Sequence, residues 1–205
     1  MTKLASFRKV IAEYITKPIV SFLSRTPLTP NILTWIGFGI TVIAGALVVT
    51  EHLLAAGIVV LVAGLFDMLD GALARTTGKV TRFGAILDST LDRISEAVVL
   101  LSLLTIFAER QQVTESVLVG VALLGSFMVS YIRARMEGLG IECKAGLFTR
   151  PERVIVLALG LLLSQFNYAL LTALAIIYYF VRVSALKKRG VNWEERTKKI
   201  TGFEE

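Results

Sequence analysis

Long apolar runs constrain this chain more than any other feature of its sequence. Hydrophobic residues occupy 55% of the 205 positions, and the mean hydropathy of +0.70 is too high for an ordinary soluble domain. Because about 20 consecutive apolar residues in a helix cross the hydrocarbon core of a bilayer, we predict an all-α, polytopic membrane protein. Six transmembrane helices are expected, at about Ile32–Thr50, Leu53–Ala74, Ala85–Ala108, Glu115–Ala134, Arg153–Phe166 and Tyr168–Leu186.

Both ends of the chain are expected to lie outside the bilayer. Residues 1–17 place apolar side chains at near-helical spacing with Lys and Arg between them, a pattern typical of an amphipathic helix in the membrane interface. A plain topogenic segment is the alternative. Residues 190–205 are polar and charged and are expected to form a solvated tail. The chain as a whole, 1–205, is predicted to be one membrane domain.

Basic residues indicate the orientation in the membrane. Lys and Arg are concentrated before the first predicted helix, in the second and fourth connections and after the sixth helix, whereas Arg110 is the only one in the opposite loops. By the positive-inside rule, both termini lie in the cytoplasm and the protein resides in the cell membrane. The same distribution accounts for the net charge of +6, so nucleic acid is not expected as a partner.

Four aspartates stand on two of these apolar segments. Asp67 and Asp70 lie near the end of the second predicted helix, and Asp88 and Asp92 lie near the start of the third. At these spacings each pair occupies one stripe of its helix. The short connection makes the two helices antiparallel neighbours, so the acidic stripes should face each other just inside the cytoplasmic boundary.

Such a concentration of carboxylates requires a compensating partner. A charged side chain at bilayer depth costs about 2.5–3.5 kcal/mol or more, and facing carboxylates also repel. An all-oxygen site suits Mg²⁺ or Mn²⁺ rather than zinc, and with one Cys and one His in the chain no site built from those residues is expected. Ion pairs inside a transporter, or a proton path, are the alternative interpretation of intramembrane aspartates.

The aspartates belong to a longer pattern that resembles a known family. The pattern reads Asp67-x-x-Asp70-Gly71-x-x-Ala74-Arg75, eight residues, Gly84-x-x-x-Asp88-x-x-x-Asp92. It fills every position of the signature of the CDP-alcohol phosphotransferase family. The resemblance implies a six-helix membrane enzyme, usually a homodimer. Such enzymes transfer a substituted phosphate from a CDP-linked lipid to an alcohol and release CMP.

The resemblance also assigns roles to individual residues. Asp67, Asp70 and Asp88 are expected to bind two divalent ions, and Asp92 to complete the metal site and act as general base on the acceptor hydroxyl. For Thr34, a place near the N-cap of the first helix is an equally supported interpretation. The residues expected to line the CDP-lipid pocket are Pro30, Asn31, Thr34, Asp67, Gly71, Ala74, Arg75 and Thr81.

A set of arginines bears on the acceptor. Those expected at cytoplasmic helix ends are Arg133, Arg150, Arg153 and Arg182. Since clustered Arg suits a phosphate beyond the metal-held pyrophosphate, the set favours a phosphorylated acceptor over free serine, choline or inositol. For any single one of these arginines, the positive-inside rule is the simpler explanation.

The combination resembles the phosphatidylinositol-phosphate synthases of actinobacteria and their archaeal counterparts, which join inositol 1-phosphate to a CDP-lipid. The alternative within the family is phosphatidylglycerophosphate synthase, which uses glycerol 3-phosphate. Outside the family, a membrane prenyltransferase and a transporter are the alternatives.

Overall fold

A computed structural model describes residues 17–139 and 150–163, except for the side chains of residue 17 and residues 150–153. The described residues form helices and include no strand, which confirms the predicted all-α class for this part of the chain. The helices are α1 Lys17–Leu23, α2 Pro30–Val49, α3 Leu53–Thr76, α4 Arg82–Glu109, α5 Val113–Gly138 and α6 Arg150–Leu163.

The expectation of six membrane spans is met only in part. Within the described ranges, α2, α3 and α5 are long and apolar enough to cross a membrane. Helix α4 has 28 residues, but the charged residues Asp88, Asp92, Arg93 and Glu96 interrupt its apolar run. Helix α6 is described over 14 residues. The sixth predicted helix, the interfacial helix and the polar tail lie outside the described residues.

Capping residues set helix starts that the apolar periodicity alone did not predict. Helix α2 begins at Pro30, two residues earlier than expected, because Thr29 is its N-cap. Helix α4 begins at Arg82, three residues early, because Thr81 Oγ1 accepts a hydrogen bond from the Gly84 N–H at 3.0 Å. Threonine at such positions satisfies a backbone donor that the helix itself leaves without a partner. Helices α5 and α6 also start before their predicted bounds, and α1 was not predicted.

The helices pack around α2, α3 and α4. Helix α2 contacts both of the others, α3 also contacts α1 and α6, and α4 contacts α5. Most of the buried apolar residues lie in the half of the bundle away from the aspartates. This core comprises Ala44, Val48, Leu53, Ala56, Val60, Val99, Leu100, Leu103, Ile106, Phe107, Val119, Ala158 and Leu161. A smaller cluster of Val20, Leu33, Leu69 and Leu73 lies at the other end.

The outer surface of the bundle is strongly apolar. Large hydrophobic side chains are exposed along the spans, Trp35 and Leu124 among them. Exposed apolar surface on this scale marks an interaction site in a soluble protein, whereas lipid covers it in a membrane. Together with three membrane-length helices, this surface identifies the protein as a membrane protein.

A glycine permits the close approach of α2 to α4. A Cβ added to Gly45 would lie 2.7 Å from Val98 Cγ1 and 2.9 Å from Ser102 Oγ, whereas one added to Gly39 on the same helix would meet nothing within 4 Å. Contacts below 3.0 Å are not tolerated by a close-packed interior, so the neighbouring side chains would have to move. Gly45 therefore sets the spacing of the two helices in the core.

The two turns at the far end of the bundle share one unusual feature. Glu51, after α2, and Gln111, after α4, adopt left-handed backbone conformations with φ of 62° and 55°. Glycine usually occupies this position, because a side chain makes the conformation costly. Arg110 Nη2 lies 2.7 Å from Glu51 Oε2 and joins the two turns by an ion pair.

Candidate active site

Three carboxylates meet where the end of α3 faces the start of α4. One oxygen atom from each of Asp67, Asp70 and Asp88 lies within 4.8 Å of the other two. Asp70 is buried, and the other two side chains are half-buried. The two acidic stripes therefore face each other, as the spacing of these residues predicts. Helix α2 packs against both α3 and α4, whereas α3 and α4 make little direct contact with each other, so the prediction that they are packed neighbours is wrong.

The chemistry of this acidic trio, Asp67, Asp70 and Asp88, fits a hard divalent cation. All three donors are carboxylate oxygens, which Mg²⁺ and Mn²⁺ prefer and which zinc sites use less often. Each pair of negative charges repels at this distance, and partial burial removes the water that would otherwise screen them. These three residues would hold such an ion.

Asp70 has a further contact, which comes from α2. Thr34 Oγ1 donates a hydrogen bond of 2.7 Å to Asp70 Oδ2. Asp70 is also within electrostatic reach of Asp88 and of Arg75. Thr34 stands four residues inside α2 and not at its N-cap, which is Thr29. The interpretation of Thr34 as a residue near the N-cap is therefore wrong.

Asp92 lies one helical turn beyond Asp88 on α4. Its side chain is half-buried and interacts with that of Asp88. Among the described residues, the set of oxygens within 4.8 Å includes Asp67, Asp70 and Asp88 but not Asp92. Asp92 is therefore adjacent to the trio, and its roles as a metal ligand and as a general base both stay predictions.

A groove opens on one side of the trio, formed by the start of α2, the end of α3 and the start of α4. All residues predicted for the CDP-lipid pocket border this groove except Asp67, which lines the cavity on the other side. The lining residues are Pro30, Asn31, Thr34, Asp70, Gly71, Ala74, Arg75, Lys79, Val80, Thr81, Gly84, Ala85 and Asp88.

Two features of the groove favour an anionic ligand, namely an open wall and a positively charged rim. A Cβ on Gly84 would lie 3.1 Å from Asn31 Oδ1 and 3.0 Å from Thr81 Oγ1, so glycine keeps this wall open. Arg75 and Lys79 are exposed cations at the rim. The N-termini of α2 and α4 both border the groove, and helix N-termini favour anionic groups.

A second, deeper cavity lies on the other side of the trio. Its walls come from α2, α3, α4 and α6, and they include Asp67 and Asp92 near the trio and Val60, Val99 and Leu157 farther inside. Thr34 and Asp70 line both this cavity and the groove. The hydrogen-bonded pair Thr34–Asp70 therefore forms part of the wall between them.

The sequence did not predict the deep cavity. One signal was available, because Ser95 and Glu96 follow Asp92 at three and four residues, the spacing of one helix face, and both line the cavity. The contribution of Val154 and Leu157 from α6 could not have been found in this way. It depends on how α6 packs against α3, which no local pattern reveals.

Comparison with known proteins identifies the family. The model of the CDP-alcohol phosphatidyltransferase family matches residues 27–184. The chain belongs to this family. This membrane enzyme family is the one that the aspartate pattern predicts, so that prediction is confirmed, and with it the prediction that the protein is an enzyme.

Relatives of this phosphatidyltransferase include inositol phosphate synthases from archaea and bacteria. The chain is 40% identical over 170 residues to archaetidylinositol phosphate synthase of Pyrococcus horikoshii, and the aligned region covers 82% of this chain and 88% of that protein. It is 40% identical over 171 residues to phosphatidylinositol phosphate synthase of Mycobacterium bovis, covering 82% of this chain and 78% of the relative.

Solved structures give the same result. The phosphatidylinositol phosphate synthase of Mycobacterium tuberculosis with CDP-DAG bound has a TM-score of 0.75 at 36% identity, covering 85% of this chain and 91% of that one. The same enzyme in complex with manganese and citrate has a TM-score of 0.74 at 36% identity, covering 85% and 87%. A divalent metal is therefore present in a structure similar to this phosphatidyltransferase, and the acidic trio suits such an ion.

The predicted arginine set is only partly visible in this phosphatidyltransferase. Arg133 lies half-buried in the last turns of α5. Arg150 and Arg153 belong to the first turn of α6, but their side chains are outside the described part, as is all of Arg182. The prediction that these four residues share one acceptor site is therefore not tested by the structure.

Proposed function

We propose that the protein is a membrane phospholipid synthase that transfers the phosphatidyl-type group of a CDP-lipid to inositol 1-phosphate and releases CMP. The observation that carries this proposal is the acidic trio at the junction of a groove and a deep cavity. Two substrates that react with each other need adjoining sites, and the metal-binding residues stand between these two. The inositol phosphate synthases at 40% identity support the choice of acceptor.

The groove is the proposed site of the CDP head group. Its rim cations Arg75 and Lys79 match the charge of a diphosphate, and Gly71, Ala74 and Gly84 leave room beside the backbone. The lipid chains remain in the bilayer while the head group enters from the cytoplasm. A relative binds CDP-DAG and another is an archaetidylinositol phosphate synthase, so both CDP-diacylglycerol and an archaeal CDP-lipid are candidate donors.

The reaction uses the carboxylates in two ways. Asp67, Asp70 and Asp88, with Asp92 completing the site, would hold two Mg²⁺ or Mn²⁺ ions, which would supply charge stabilisation for the pyrophosphate and for departing CMP. Asp92 accepts the proton of the acceptor hydroxyl as its oxygen bonds to the lipid-linked phosphorus. The bond from that phosphorus to the bridging oxygen breaks, and CMP leaves with the bonding electrons.

The acceptor phosphate is proposed to bind Arg133, Arg150, Arg153 and Arg182. Arginine offers paired N–H groups that match phosphate oxygens. The first turn of α6 carries two of these residues, and Val154, which follows directly, lines the same deep cavity as Asp92. An acceptor whose phosphate lies at the start of α6 can therefore present a hydroxyl to Asp92.

We further propose that residues 1–205 form one domain in the cell membrane, with six transmembrane helices and both termini and the active site cytoplasmic. The loop charges support this orientation. Residues 1–17 lie in the membrane interface and residues 190–205 form a polar tail. The protein works as a homodimer surrounded by membrane lipids, as the family resemblance implies.

The test is CMP release by the purified protein in detergent with Mg²⁺ and a CDP-lipid. The acceptors are inositol 1-phosphate, glycerol 3-phosphate, free inositol and serine, each added alone, with Asp88→Asn as the inactive control. We expect release with inositol 1-phosphate only. Release with glycerol 3-phosphate alone would replace the proposal by phosphatidylglycerophosphate synthesis. No release with any acceptor, with either CDP-diacylglycerol or an archaeal CDP-lipid, would refute it.

A further inference from the structure

The hydrogen bond between Thr34 and Asp70 links α2 to the acidic trio. Both side chains are buried, with 9% and 4% of their surface exposed. The Thr34 hydroxyl also lies 3.1 Å from the carbonyl oxygen of Pro30, the usual partner of a threonine inside a helix. A hydroxyl has only one hydrogen to donate, and the carboxylate oxygen is the nearer acceptor, at 2.7 Å.

We propose that Thr34 is a positioning residue that orients the Asp70 carboxylate for a divalent metal ion. This inference rests on the proposed function, because it takes the acidic trio to be the metal site. Residues that hydrogen-bond to a metal-binding side chain fix its orientation, and their loss typically weakens metal binding 10- to 100-fold. The bond to Oδ2 takes one acceptor site of the carboxylate and restricts rotation of the group about its terminal bond, while the remaining acceptor sites can face a metal ion.

This role differs from a contact to the nucleotide. Thr34 borders the groove, and the family resemblance places it near the CDP group. A threonine that touches only the nucleotide would affect nucleotide binding and leave metal affinity unchanged. A threonine that acts through Asp70 would lower metal affinity even when no nucleotide is present.

The chain offers a matched control on the same helix. Thr41, two turns farther along α2, is also buried, with 7% of its surface exposed. Its hydroxyl donates to the Gly37 carbonyl oxygen at 3.0 Å. Replacing either threonine by valine removes a buried hydroxyl of the same size from the same helix, but only Thr34→Val removes a bond to a carboxylate of the trio.

The experiment measures Mn²⁺ affinity by electron paramagnetic resonance of the free ion, with the full chain in detergent and no nucleotide or acceptor. We expect Thr34→Val and Thr34→Ala to bind Mn²⁺ about 10- to 100-fold more weakly than the unchanged protein. Thr34→Ser, which keeps the hydroxyl, should recover most of the affinity, and Thr41→Val should match the unchanged protein. At saturating Mn²⁺, the affinity of Thr34→Val for CMP should be within about threefold of the original.

Three results would overturn the proposal. The first is Thr34→Val or Thr34→Ala binding Mn²⁺ as tightly as the unchanged protein. The second is an equal loss in Thr41→Val, which would indicate a general packing effect. The third is normal Mn²⁺ affinity combined with weak CMP binding, which would make Thr34 a nucleotide contact. If the unchanged protein itself binds no Mn²⁺, the metal centre of the proposed function fails, and the role of Thr34 fails with it.

Discussion

Removing one charge from the acidic trio should stabilise the metal-free protein. At the upper separation of 4.8 Å and an effective dielectric constant of about 20, Coulomb's law gives about 3.5 kcal/mol of repulsion for each pair of carboxylates. Asp70→Asn relieves two pairs, or about 7 kcal/mol of Coulomb repulsion if all three groups are charged. Asparagine keeps an acceptor for Thr34 and nearly the same volume, so the packing around the site is retained.

Several effects reduce this gain. Replacing a charged acceptor by a neutral one weakens the hydrogen bond from Thr34 by about 1 kcal/mol, and the attraction of exposed Arg75 is worth up to about 1 kcal/mol. A carboxylate can also take up a proton, which at pH 7 costs about 4 kcal/mol for a group of ordinary pKa, so the relief from the repulsion is limited to about this amount. We therefore expect a net stabilisation of about 2 kcal/mol, which corresponds to about 4–8 °C in Tm for a chain of this length.

The assay is thermal unfolding of the detergent-solubilised protein in EDTA and again with Mn²⁺. In EDTA, Asp70→Asn should melt above the unchanged protein, whereas Glu109→Gln, which removes an exposed acid at the far end of α4, should leave Tm unchanged. With Mn²⁺ at 100 times its Kd, the unchanged protein gains about 2.7 kcal/mol and the variant gains less. A lower Tm for Asp70→Asn in EDTA would refute the claim that the three carboxylates repel one another.

Three other changes test the site and the packing. Asp92→Asn should lower kcat about 10²- to 10⁴-fold, the usual contribution of a general base, while CMP affinity stays unchanged. CMP-release kinetics and nucleotide titration would measure the two effects, and retained turnover would exclude Asp92 as the base. Gly45→Ala should lower the free energy of unfolding by about 1–3 kcal/mol because the new Cβ would overlap Val98, whereas Gly39→Ala should not, as thermal melts can establish. Gln111→Gly should raise stability by about 1 kcal/mol in the same assay, because glycine adopts a φ of 55° without strain; an unchanged Tm would contradict the assigned turn geometry.

The acidic trio and the groove could be predicted because both depend on local spacing. Asp67 and Asp70 share a face of one helix, Asp88 follows on the next helix, and a short connection makes the end of α3 face the start of α4. The glycines of the signature mark the places where a side chain would fill part of the groove. Helical periodicity and one tight connection predict which side chains face the site, and the packing of α2 against both α3 and α4 holds the two helices in place.

Other features depend on contacts between distant residues, which a local pattern does not show. Thr34 and Asp70 are 36 positions apart, and the sequence left Thr34 with two interpretations, one of which was wrong. The deep cavity needs the packing of α6 against α3. The predicted starts of α2 and α4 were two and three residues too late, because apolar periodicity does not reveal the N-caps formed by Thr29 and Thr81.

The groove is built from one uninterrupted stretch of chain. Every described residue that lines it falls between Pro30 and Asp88, whereas the deep cavity also takes Val154 and Leu157 from α6. If the groove binds the nucleotide as proposed, that part of the molecule can be inherited as a unit while the later helices diverge. We expect that such enzymes can change the alcohol they use mainly through substitutions after α4, where Arg133, Arg150, Arg153 and Arg182 all lie. A chimera that exchanges everything after α4 should keep its donor and adopt the acceptor of the parent that supplied that segment.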